Sequence, residues 1–132
     1  MSSNPVNGLA VLVGATCGLV ATLALAGEWT GPASIDKIVV HADQDVSIFK
    51  ASVPGGPQED WPNPDACDFS SRAILRPVKN IDGVVSGISS YEQAYAMLLG
   101  AKLNGQAILV LLDGCVLFGD ATVPMIAAVA IK

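Results

Sequence analysis

Charge is scarce in this sequence. Charged residues make up 14% of the 132-residue chain, against 52% hydrophobic ones, and none lies between Met1 and Gly27. Lys and Arg number seven against twelve Asp and Glu, leaving a net charge of -5. An acidic chain has little with which to neutralise phosphates or release counterions, so nucleic acid and anionic lipid are poor partners for it. Histidine occurs once, at His41. One imidazole is too few for the usual zinc sets, and no Cys-x-x-Cys is present to supply thiolates. Gly83 and Gly87 lack the Lys of a P-loop and the spacing of a dinucleotide fold. There is no internal repeat and no low-complexity segment. The length allows one domain.

The uncharged leading segment is an apolar run, Gly8 to Ala26, closed by Ala24-Leu25-Ala26. Small residues at Ala24 and Ala26 suit signal peptidase and place a cut before Gly27. The alternative is a retained membrane anchor, since about twenty apolar residues just span a bilayer. The Ala-x-Ala ending and the missing basic stop-transfer cluster favour cleavage. The missing Lys or Arg in Met1 to Asn7 speaks against it. Residues 1–26 are thus expected to be a signal peptide and 27–132 a single domain that is secreted or periplasmic and free of the membrane. Cys17 leaves with the leader.

Two cysteines then remain, Cys67 and Cys115, and an even count in an oxidising compartment predicts a disulfide between them. Closing a loop of about 48 residues is worth roughly 4 kcal/mol on the chain-entropy account. The alternative, a shared metal pair, is weak for want of a Cys-x-x-Cys and of a second His.

Ser34 to Val53 reads as a hairpin, with Ile38, Val39 and Val40 on one arm, Val46 and Ile48 on the other, and Ala42-Asp43-Gln44-Asp45 as the turn. Pro54 to Asp65, rich in proline, is expected to be loop. Ser71 to Leu75 predicts a short strand, and Val78 to Ser89 a second loop or ragged edge. The clearest helix spans Ser90 to Asn104, opened by a capping box of Ser89 with Glu92 or Ser90 with Gln93. Its apolar face holds Tyr91, Ala94, Tyr95, Leu98, Leu99 and Leu103. Gly100 costs about 1 kcal/mol relative to Ala and is expected to permit close packing on a sheet, and Asn104-Gly105 ends the helix. Ala107 to Leu112 predicts a buried strand turned by Asp113-Gly114, and Met125 to Ile131 a last strand.

The order is strand, strand, strand, helix, strand, strand. Five antiparallel strands with the helix between the third and fourth make an OB-fold-like barrel, mostly β with one helix. An open α+β sandwich shares the same list of elements.

Two stretches carry a resemblance: Glu28-Trp29-Thr30-Gly31, and Tyr91-Glu92-Gln93-Ala94-Tyr95 running through Gly105 into an apolar strand. With Asp113-Gly114-Cys115, Pro124 and Ile126, they resemble small exported bacterial OB-fold proteins akin to the pentameric B subunits of subtilase cytotoxin and typhoid toxin. The resemblance implies an OB-fold barrel, a tendency to form homo-oligomeric rings and recognition of glycans. Ile48-Phe49-Lys50 lacks the cysteine those subunits carry at the end of the second strand. Pro32 to Lys37 is shorter than their sugar-contacting loop, so no sugar-binding residue is carried over.

His41 is the only base open to a serine or cysteine hydrolase, and it sits in a strand pattern with no nucleophile signature, as a solvent-facing strand histidine would. Asp43 and Asp45 suit a hairpin turn better than a Ca²⁺ loop. Glu59-Asp60 reads as a solvated loop. Trp61, set among prolines, is the candidate ligand-binding residue, able to stack on a sugar or else to cap a barrel end. Trp29 is expected to pin the N-terminal segment to the core, and Tyr91 and Tyr95 to belong to it. The expected function is a secreted, non-enzymatic binding module needing no cofactor or metal, its partner a glycan. The alternatives are a periplasmic inhibitor or accessory protein that holds a protein partner through a sheet edge and, disfavoured, a small hydrolase.

Overall fold

The computed structural model describes residues 27–132. The expected leader, with Cys17, lies outside them. Strand β1 (Glu28–Trp29) is followed by a hairpin of β2 (Ser34–Val40) and β3 (Val46–Ala51), where β-branched residues alternate as expected. The turn between them closes with His41 and Gln44. The His41 N–H donates to the Asp45 carbonyl at 2.8 Å and the Gln44 N–H to the His41 carbonyl at 2.9 Å. Strand β3 is the hub. It pairs antiparallel with β2, with the short β4 (Gln58–Glu59) and with β5 (Ala73–Leu75). Along it, Val46 and Ile48 enter the main core while Ser47 and Phe49 point to the other face.

The stretch after Pro77 departs from expectation. Val78 to Ser89 holds a second hairpin, β6 (Lys79–Ile81) and β7 (Val84–Ser86), forming its own two-stranded sheet. Its turn is Asp82-Gly83, both with positive φ, at 52° and 83°. Two such residues make the turn that matches the twist of paired strands. At the hairpin's base Gly87, φ +97°, lies so close to the Pro77 backbone that a Cβ there would collide with the Pro77 carbonyl.

Helix α1 (Tyr91–Asn104) buries Ala94, Leu98 and Ala101 on the sheet. Tyr91 and Tyr95 pack half-buried beside them. The expected face was too broad: Leu99 is exposed and Leu103 is 77% exposed. No capping box forms, since Ser90 makes no side-chain cap bond. Gly100 faces open space rather than a close neighbour. Gly105 does cap the C-terminus in the left-handed conformation.

The chain ends in a long antiparallel pair, β8 (Ile108–Phe118) and β9 (Ala121–Ile131). Asp113-Gly114 does not turn the chain. Gly114, φ +82°, lies where the register slips opposite Met125, so the strand bends and continues. Before the bend, Ile108, Val110 and Leu112 enter the main core. Beyond it, Val116, Val123 and Ile74 make a second, smaller core with Phe118 and Met125. The distal end of the pair therefore covers the face of β5 opposite Ala73 and Leu75.

The main sheet runs β1-β8-β9-β5-β3-β2, with β4 on β3. All pairings are antiparallel except β9 with β5, which meet in parallel at Met125 and Ile74. Ala33, just ahead of β2, bridges Ile108 at the start of β8. The fold is mostly β with one helix. The Cys67–Cys115 disulfide is formed, with Cα atoms 5.7 Å apart. It ties the proline-rich loop to β8 just past its bend. Among the described residues, no helix is long and apolar enough to cross a membrane.

Candidate functional site

Trp61 is not a ligand platform. The ring is 2% exposed within the main core, and its indole N–H donates to the Ile48 carbonyl at 3.0 Å. A stacking ring needs an open face, and this one has none. The loop folds inward because the Trp61 N–H donates to the Ser70 carbonyl at 2.7 Å, carrying the side chain under β3. Trp29 corrects the other way. It is 49% exposed on the two-residue strand β1, and the anchor to the core is its neighbour Thr30. The Thr30 N–H donates to the Val110 carbonyl at 2.8 Å, and its hydroxyl accepts from the Val110 N–H at 3.0 Å.

His41 follows β2 rather than facing solvent from within it. Its Nε2 lies 2.8 Å from Ser47 Oγ, the spacing of a nucleophile and its base. The rest of a hydrolase is missing from this pair. Ser47 has no exposed surface, and no carboxylate among the described residues is hydrogen-bonded to the ring. A substrate carbonyl has no path to that oxygen. Among the described residues no group of three His, Cys, Asp or Glu is placed to hold a metal ion.

The two turn aspartates have different fates. Asp43 is exposed, and its carboxyl accepts from the Asp45 N–H at 3.1 Å. That bond, aided by Lys79, holds its pKa below the usual carboxylate range. Asp45 is buried at 1% exposure, which composition alone did not signal. It is met by Arg76, whose Nε and Nη2 reach its two oxygens at 3.0 Å and 2.7 Å. Lys79 adds a third donor at 3.0 Å. Arg76 also donates to Ser86 Oγ and to the Leu117 carbonyl, both at 3.2 Å. A buried carboxylate keeps its charge only when paired in this way. One ionic cluster thus joins the β2–β3 turn, both strands of the small hairpin and the end of β8. Tyr91 ties in the helix by donating its hydroxyl to the Gln44 carbonyl. Burial raises the pKa of that hydroxyl, with the neighbouring Tyr95 and acidic groups adding to it.

Above this cluster a groove of about 390 Å³ opens between the small hairpin and β8. Lys79 and Asp43 supply its charged rim, and Ile81, Val84, Val116 and Leu117 its apolar walls. Ile81, Val84, Val85 and Leu117 are all exposed, Val84 to 67%. The sequence signal for the hairpin was the Asp82-Gly83 dipeptide between Ile81 and Val84-Val85. No protein-family model matches the chain, and no curated protein matches its sequence.

Proposed function

We propose that the chain is an exported, non-enzymatic binding module of OB-fold type that holds a protein partner with the 79–86 hairpin and the groove beside it. The barrel reading is supported by the strand order, by the parallel contact of β5 with β9, by the helix between β5 and β8, and by the Ala33–Ile108 bridge that brings the start of β2 against the start of β8. The leader pattern and the disulfide support export. One observation carries the binding role. The hairpin is fixed at its base by a buried ionic cluster and at its tip by a tight turn, yet on its groove side it presents the paired Ile81 and Val84 to solvent beside Leu117. A contiguous exposed apolar surface marks a contact site, and a rigid one loses little entropy on binding. The free edges of a two-stranded sheet suit strand addition by a protein partner. The glycan expectation loses its named residue with the burial of Trp61.

The test is site-specific photocrosslinking of the exported protein in its native host. A crosslinker at Val84, which lines the groove, is expected to give one stoichiometric protein adduct, and one at Lys102 on the helix none. Equal labelling from both positions, or none from Val84, overturns the reading.

A further inference from the structure

A second surface, separate from the hairpin, carries an inference of its own. On the outward face of β3, cations and rings alternate in a row. Lys37 Nζ lies 4.5 Å from the centre of the Phe49 ring. The Arg72 guanidinium lies 4.9 Å from Phe49 and 4.6 Å from Phe118. His41 meets the far side of the row, its ring 5.0 Å from Phe118 and edge-on. Beneath the row, the fully buried Ser47 binds its middle cation and its far end, with Arg72 Nη1 at 3.1 Å and His41 Nε2 at 2.8 Å.

The row carries no counter-charge of its own. Acidic residues outnumber basic ones twelve to seven, yet no carboxylate among the described residues lies within salt-bridge distance of Lys37 or Arg72. Arg76 and Lys79 take the ion pairs. Arg72 is half-buried and rests on two phenyl rings, which hold its plane while offering no counter-charge. One N–H is committed to Ser47, so the fork is fixed in place with donors to spare. A planar, oriented guanidinium binds the two oxygens of a tetrahedral anion side by side, as a flexible lysine does not.

We infer that Arg72, oriented by Ser47, Phe49 and Phe118 and flanked by Lys37 and His41, is a receptor for a tetrahedral oxyanion, the sulfate or phosphate group of a small ester. The partly exposed Phe118 beside it gives an apolar flank for whatever carries the group. This site does not depend on the hairpin reading, and neither stands or falls with the other.

The experiment titrates the oxidised, ¹⁵N-labelled protein with sodium sulfate and sodium phosphate, against sodium chloride at matched ionic strength. The Arg72 side-chain N–H resonance is expected to shift saturably with the oxyanions and not with chloride. Arg72→Gln should weaken sulfate binding by about ten-fold or more, the scale of one charge-assisted hydrogen-bonded contact. Lys102→Gln, an exposed cation on the helix, should leave it unchanged. If Arg72→Gln does not fold, Lys37→Gln is expected to weaken binding about two- to five-fold, the scale of a partly exposed charge. Glucose 6-sulfate and glucose 6-phosphate then show which ester is preferred, and tighter binding of either supports the site. No shift beyond that with chloride, or equal sulfate affinity in Lys37→Gln and the parent, overturns the inference.

Discussion

At the scale of single residues, context decides what a side chain does. Trp61 fills the core and completes the hydrogen bonding of the Ile48 carbonyl. Its removal leaves a cavity and an unpaired acceptor, so Trp61→Ala should cost about 3–5 kcal/mol in denaturant unfolding. The folded fraction should keep any binding by the hairpin. Asp43 behaves differently because its carboxyl is exposed. Its pKa in the folded state lies below the unfolded value, chiefly through the Asp45 N–H. The stability it contributes is therefore present above the unfolded pKa and fades as pH falls through the folded one. Asp43→Asn keeps the acceptor oxygen and removes the charge. Its melting temperature should match that of the parent below the carboxylate range and fall short above it, by under about 1 kcal/mol equivalent. A gap that widens toward low pH would contradict this assignment. Composition left two roles open for Trp61, stacking on a ligand or capping the barrel end, because flanking prolines mark a loop without saying which way the loop folds; the buried ring agrees with the second. Asp45 was legible as a turn residue only. Its partners Arg76 and Lys79 lie some thirty positions along, and nothing local announces them.

Among the elements, the periodic ones were the legible ones. The β2–β3 hairpin follows from alternation, the helix from the Tyr91, Ala94, Tyr95 and Leu98 part of its expected face, and the last two strands from apolar runs that the structure extends. Glycine was the source of error. Gly83 and Gly87 suggested a ragged loop, yet each supplies a positive φ that a well-formed hairpin requires, and Gly114 bends a strand that it was expected to end. Gly87 gives a direct test of the hairpin's seating. A methyl group there meets the Pro77 carbonyl, so Gly87→Ala should destabilise the protein by about 2 kcal/mol or more, through strain at a positive φ and the clash together. Hydrogen exchange should rise first at Lys79 to Ser86. A uniform rise across the sheet would show that the hairpin is no separate unit. Arg76 anchors the same element from below. Arg76→Met leaves Asp45 buried with Lys79 alone and should cost about 3 kcal/mol, much of it regained in the Asp45→Leu, Arg76→Met pair. Failure of the second change to restore stability would mean that the Leu117 and Ser86 contacts outweigh the ion pair.

For the molecule as a whole, the long β8–β9 pair sets the limits of the fold. Its first half lines the main core, and its second half lies over the outer face of β5. Three ties hold that second half to the loop before β5: the disulfide, the Gly114 N–H to the Asp65 carboxyl at 2.6 Å, and the paired bonds of Asp68 with Thr122. Two of these survive reduction. The folded structure should therefore persist without the disulfide, whose main effect falls on the unfolded chain. Cutting a cross-link that spans 48 residues removes roughly 4 kcal/mol on the chain-entropy account. For a domain of this size that lowers the melting temperature by on the order of 15 °C. Reduced and oxidised proteins at 25 °C should then give superimposable amide spectra away from Cys67 and Cys115, with midpoints far apart. Loss of the Val116, Phe118 and Val123 resonances on reduction would mean instead that the covalent tie itself keeps the strand pair folded over β5.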